Sequence, residues 1–158
     1  MHFQLHLAAI LALVVATAAS PTTPEPEIAT TFLSEAEMIH WLQTTDAELT
    51  FIGEPIPGVN VPALDDADLA RRAALSTTVV YCNRRVNGVC GGACTTYNGG
   101  AKCLNAPDTQ CLHATHNVGF CAGKGCGGGC NQFSSCGTKL DGGFCYTPGT
   151  NSIVVGPY

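Results

Sequence analysis

The chain has 158 residues, ten cysteines, eighteen glycines and a formal net charge of −5. The charge is unevenly placed. Between residues 19 and 72 ten carboxylates face only Arg71 and Arg72, whereas from residue 73 onward Arg84, Arg85, Lys102, Lys124 and Lys139 face Asp108 and Asp141. So slight a positive excess argues against a nucleic-acid partner, and so few carboxylates leave acid–base catalysis poorly supplied.

In chain order, Leu7 to Val15 form an apolar stretch, followed by Ala16-Thr17-Ala18 with small residues at alternate positions. That is the pattern of a signal peptide cut after Ala18, although the residues before it offer only the α-amine, His2 and His6 as positive groups. A membrane span needs about 20 apolar residues, so no anchor is expected here. Residues 1–18 therefore read as a signal peptide acted on by signal peptidase, and the protein as secreted and extracellular, where disulfides persist.

Residues 19–72 read as an acidic pro-segment. Ser20 to Thr31 is rich in Pro, Thr and Glu, too polar to offset chain entropy by burial, and is expected to be extended. Ser34 with Glu37 makes a capping-box pattern, and Ala36, Ile39, Trp41 and Leu42 an apolar stripe, which predict a helix over 34–44 as the only ordered part. Pro55, Pro57 and Pro62 with Gly53 and Gly58 interrupt any helix beyond it. The segment closes on Leu69-Ala70-Arg71-Arg72, which resembles the recognition site of kexin-type processing proteases. Such a cut would free Ala73–Tyr158, eighty-six residues. A second pair, Arg84-Arg85, lies inside the cysteine framework, where folding is expected to protect it. An acidic leader tethered to a basic domain suggests either masking by charge or a leader that serves folding or sorting.

Residues 73–158 form the mature cysteine-rich domain. All ten cysteines (Cys82, Cys90, Cys94, Cys103, Cys111, Cys121, Cys126, Cys130, Cys136, Cys145) fall here, with sixteen glycines and few large aliphatic residues. The expected fold is small, disulfide-rich and mostly β, with turns and loops and its helix confined to the pro-segment. Five bridges at about 2–4 kcal/mol each would supply much of its net stability. The pairing is open among 945 connectivities. Two copies of C-G-G-x-C, at Cys90–Cys94 and Cys126–Cys130, allow a 5+5 pseudo-repeat, in which five is odd and at least one bridge joins the halves. Asn87-Gly88, Asn98-Gly99-Gly100 and Asp141-Gly142-Gly143 are turn signals, and Thr77–Tyr81, Phe144–Thr147 and Ser152–Val155 the strand candidates. Glycines between the cysteines of C-x3-C disfavour the helix of a defensin-like scaffold.

His113-Ala114-Thr115-His116 spaces two imidazoles for zinc, but exported cysteines arrive as disulfides, so a solvated loop and no metal or cofactor are expected. Asp108 and Asp141 are the only carboxylates for a glycosidase-type pair, and Asp141 is better placed as a turn residue, so no enzyme is expected. Tyr97, Phe120, Phe133, Phe144, Tyr146 and Tyr158 could face sugars in a chitin- or glucan-binding protein, but core filling is preferred. Lys102 to Cys111 could form the exposed loop of a protease inhibitor. No amphipathic helix suits membrane attack, and no N-x-S/T sequon occurs.

Signal peptide, acidic segment ending in Leu-Ala-Arg-Arg and glycine-rich even-cysteine domain together resemble the small secreted cysteine-rich proteins of fungi: effectors, elicitors and killer-type toxins. That resemblance implies an extracellular, protease-resistant protein released by a kexin-type protease, acting by binding a host, competitor or cell-wall target.

Overall fold

The structure, a computed structural model, describes residues 32–157. Ala18, the signal peptide, the extended leader and Tyr158 lie outside the described residues.

Helix α1 (Glu35–Thr44) starts on the expected cap: Ser34 Oγ accepts from Glu37 N at 3.3 Å, and Ser34 N donates to Glu37 Oε2 at 2.8 Å. Its buried face is Met38 and Leu42, one turn apart, with Ile39 and Trp41 half-buried beside them. Ala36 is exposed, so the docking stripe is set by the i, i+4 pair that includes Met38.

Order continues past the helix, contrary to expectation. Strand β1 (Glu48–Gly53) alternates exposed Glu48, Thr50 and Ile52 with half-buried Leu49 and Phe51, the period-2 pattern of a strand with one covered face. Ile56 is fully buried in the following turn, its N–H held by Asn60 Oδ1 at 2.7 Å. Helix α2 (Asp66–Ala73) is capped by Asp65, which accepts from Asp68 N at 2.9 Å, and buries no residue.

The remaining strands are β2 (Thr77–Val86), β3 (Val89–Gly99), β4 (Lys102–Ala114), β5 (Val118–Cys121), β6 (Cys130–Gln132) and β7 (Cys145–Val155). They form one sheet with β1, in the order β1-β3-β2-β4-β7-β5-β6. Every pairing is antiparallel except β1 on β3. Asn87-Gly88 turns β2 into β3, Asn87 taking a φ of 55°. Thr77–Tyr81 begins β2, while most of Phe144–Thr147 and all of Ser152–Val155 are the two ends of one strand, β7. Strands β3 and β4 carry no clear alternation in sequence, because their cysteines and glycines mask it. Lys102 to Cys111 is accordingly strand and not an exposed loop. Its irregular part is the register shift between Asn105 and Thr109, where Asp108 has a φ of 60°.

Alternation along β2 divides the interior into two clusters. Val79 and Tyr81 join Tyr97, Leu104, Leu112, Phe133 and Ile153 on one side. Val80 and Cys82 join Met38, Leu42, Ile56, Leu140, Phe144 and the sulfurs of Cys90, Cys94 and Cys111 on the other. The N-terminal segment is thus the lid of the second cluster. Fully burying Met38, Leu42 and Ile56 contributes about 1.5–3 kcal/mol for each side chain.

All ten cysteines are paired: Cys82–Cys94, Cys90–Cys111, Cys103–Cys126, Cys121–Cys130 and Cys136–Cys145. A single bridge, Cys103–Cys126, joins the first five cysteines to the second five. The two groups are wired differently, however. Both link their first member to their third, but the first group then links second to fifth and the second group fourth to fifth. Their C-G-G-x-C elements differ too: Cys90–Cys94 lies within β3, whereas Cys126 ends a 3-10 turn and Cys130 begins β6.

Candidate functional site: the dibasic helix and the face covered by the N-terminal segment

The residues of the expected cut, Leu69, Arg71 and Arg72, lie in α2. Leu69 is half-buried and Arg71 exposed, its side chain 73% accessible. Arg71 pairs with Asp68 at 3.0 Å, and Arg72 reaches Glu54 at 3.8 Å. The carbonyl of Arg72 accepts from Leu75 N and Ser76 N, which continues the helix geometry past the expected cut. Proteases bind extended backbone, so α2 must unwind to be cut. A two-turn helix with no buried residue unwinds at small cost. Arg84 and Arg85 are exposed as well, but they are built into the β2–β3 ladder opposite Gly91 and Cys90, and Arg85 stacks 4.2 Å above the Tyr146 ring.

Beyond α2, the N-terminal segment touches the sheet through backbone and apolar side chains. Strand β1 runs parallel to β3 from Glu48 opposite Ala93 to Gly53 opposite Asn98. Asn98, nearly fully buried, closes the end of this pairing. Its carbonyl accepts from Glu54 N at 2.8 Å, its Nδ2 donates to Glu54 O at 3.4 Å and to Pro55 O at 3.3 Å, and its Oδ1 accepts from Thr78 Oγ1 at 3.2 Å. Asn98, expected as a turn residue, is therefore also a clamp. Gly53, at a φ of +87°, has no room for a β-carbon, which would fall on the Asn98 carbonyl oxygen.

Charge contributes little to this contact. Among the described residues, both ion pairs lie within residues 54–72, and none joins a carboxylate of the segment to Arg84, Arg85, Lys102, Lys124 or Lys139. Asp46, Glu48 and Arg84 share the walls of a polar cleft between β1 and the β2–β3 hairpin without pairing.

Under the segment lies His113, which is in β4 and 0% exposed, not in a solvated loop. Its ring packs 5.4 Å from both Phe133 and Phe144, and neither ring nitrogen has a hydrogen-bond partner. Burial lowers its pKa from 6.5 to about 4, against the smaller opposing pulls of the neighbouring Ala114 backbone and of the Glu37 carboxylate on α1. An imidazole kept neutral inside an apolar cluster tolerates the helix above it; a charged one would not. No local signal marked this residue, because only the sheet register turns it inward. His116 is exposed, with Thr115 Oγ1 3.2 Å from its Nδ1, so the two histidines do not converge. Among the described residues no group of three His, Cys, Asp or Glu side chains is placed to hold a metal ion.

The aromatic rings serve the interior. Tyr97, Phe133 and Phe144 are buried, and Phe120 and Tyr146 half-buried. Asp141 sits in a 3-10 turn, its N–H donating to Gly88 O at 2.8 Å, while Asp108 marks the β4 bulge. No described helix is long and apolar enough to cross a membrane. No family model, curated protein or solved structure matches this chain.

Proposed function

We propose that this chain is the precursor of a small secreted binding protein of the effector or toxin type, released from its N-terminal segment by a kexin-type cut after Arg72. The observation that carries the reading is a division of labour along the chain. All five bridges lie between Cys82 and Cys145, none reaches residues 32–72, and the connection between the two parts is an exposed helix bearing the dibasic pair. A cut there severs the one covalent tie and leaves a fully stapled domain. The signal-peptide pattern and the even cysteine number fit the same export route.

A binding role suits a rigid scaffold whose few carboxylates stand in a turn and a bulge. A sugar-binding role is less favoured, because the rings that would stack on a polysaccharide are mostly committed to the interior. The intact mass of the secreted species, taken before and after reduction and thiol alkylation, tests the proposal. A mass beginning at Ala73 with no free thiol is expected; a different start, or alkylation without reduction, would overturn it.

A further inference from the structure

Residues 32–64 occupy the sheet as a removable ligand would. No cysteine precedes Cys82, so past a cut in α2 only non-covalent contacts retain them. Their strand pairs along its whole length with β3, and their apolar side chains fill a trough beside that edge. Lifting them away would leave the outward ladder groups of Ala93–Asn98 without partners and uncover Val80, Leu140 and Phe144. Unpaired strand groups next to an apolar trough are the ingredients of recognition by strand addition, in which main-chain bonds supply affinity and alternate side chains supply specificity. The present occupant shows which strand fits: parallel to β3, apolar at the positions of Leu49 and Phe51, polar or indifferent at those of Glu48 and Thr50.

We propose that the β3 edge and its trough form the target-binding surface of the mature protein. Its partner is a protein offering an extended segment with apolar residues at alternate positions, and residues 32–64 keep the surface closed until the chain is cut after Arg72. This goes beyond the proposed release and depends on it. The closure is apolar and main-chain in character, so it differs from the masking by charge that the sequence suggests. Salt, which screens exposed charges, should leave it in place.

The test uses the full secreted chain, folded with its bridges closed and only then cut, so that folding is not at issue. A second version carries an unrelated protease site in place of residues 66–72. Failure of the natural cut with success of the engineered one would then count against the release reading alone. The probe is a labelled synthetic peptide of residues 32–64. After cutting and separation of the segment, the outward amides of Ala93–Asn98, and not those bonded to β2, are expected to lose protection from hydrogen exchange, and the probe to bind the cut protein but not the intact chain, equally at low and high salt. Alternate N–H groups of a strand point to opposite sides, so of two probes carrying Leu49→Pro or Thr50→Pro, one should bind about tenfold more weakly, the cost of a lost ladder bond. Unlabelled peptides of alternating apolar pattern should displace the probe. Three results overturn the inference: β3 stays protected and the segment stays bound after cutting and dilution; both proline probes bind like the parent; or chitin or glucan oligomers, and not peptides, displace the probe.

Discussion

Asn98 grips both main-chain polar groups of Glu54: the Asn98 carbonyl accepts from Glu54 N at 2.8 Å, and the Asn98 side-chain Nδ2 donates to Glu54 O at 3.4 Å. These two residues are forty-four apart in sequence and lie on opposite sides of the expected cut. Such a pair ties the N-terminal segment to the sheet only in the folded state, and its neighbour Gly53 sets how closely the backbones approach. Replacing Gly53 by Ala adds positive-φ strain and a clash with the Asn98 carbonyl oxygen, together about 1–3 kcal/mol. Gly149→Ala is the control, since Gly149 has a φ of +79° but open space where a β-carbon would go. Urea midpoints should fall further for Gly53→Ala. Equal losses would mean that the close approach to β3 is unimportant.

Acid should loosen the lid. An unfolded imidazole takes up its proton near 6.5, whereas His113 in the folded protein does so only near 4. Between those values the unfolded chain binds more protons, so stability is full above about pH 6.5 and declines as pH falls toward 4, by about 3 kcal/mol in all. Glu37, whose pKa is lowered by its side-chain and backbone hydrogen bonds with Ser34, adds a separate loss below its ordinary 4.5. Denaturation of the wild type and of His113→Phe at pH 7, 5.5, 4.5 and 3.5 separates the two. The variant should flatten the upper part of the curve and keep the lower. Identical slopes in both proteins would exclude the imidazole as their source.

Cutting after Arg72 should be limited by unwinding of α2. Asp65→Ala removes the hydrogen bond to Asp68 N and costs the helix about 1 kcal/mol. If unwinding is a rapid equilibrium before cleavage, a dibasic-specific protease should cut the folded variant about fivefold faster than the wild type, and Arg72→Ala hardly at all. An unchanged rate for Asp65→Ala would show that the protease reads the site without unfolding it.

The bridge Cys103–Cys126 spans 23 residues and joins the two cysteine groups. Replacing both cysteines by Ser should lower stability by about 3 kcal/mol in the chain-entropy account, slightly more than removing Cys121–Cys130 with its separation of 9. Denaturant midpoints of the two double variants give the order. Peptide mapping without reduction should recover the five pairings, and any Cys103 partner other than Cys126 would undo the connectivity.

Local chemistry accounts for a good part of this protein. Ser34 and Glu37 cap a helix within their own four residues, Asn87-Gly88 supplies the positive φ its hairpin needs, and ten cysteines with sixteen glycines after residue 72 force a stapled, strand-and-turn domain over a conventional core. These features depend on neighbours in sequence and are legible there. What required the folded chain is everything set by partners far apart. Alternation in β3 and β4 is hidden by cysteine and glycine, which carry no clear inward or outward preference until sulfurs pair. Strand β1 is a strand because β3 lies beside it, since its own six residues, followed by Pro55 and Pro57, could not hold an edge alone. His113 is turned inward by the register of β2 on β4, against the polarity of its own side chain. The likeness of the two C-G-G-x-C elements likewise ended at the bridges, because disulfide partners are chosen by distance in space and not by spacing along the chain.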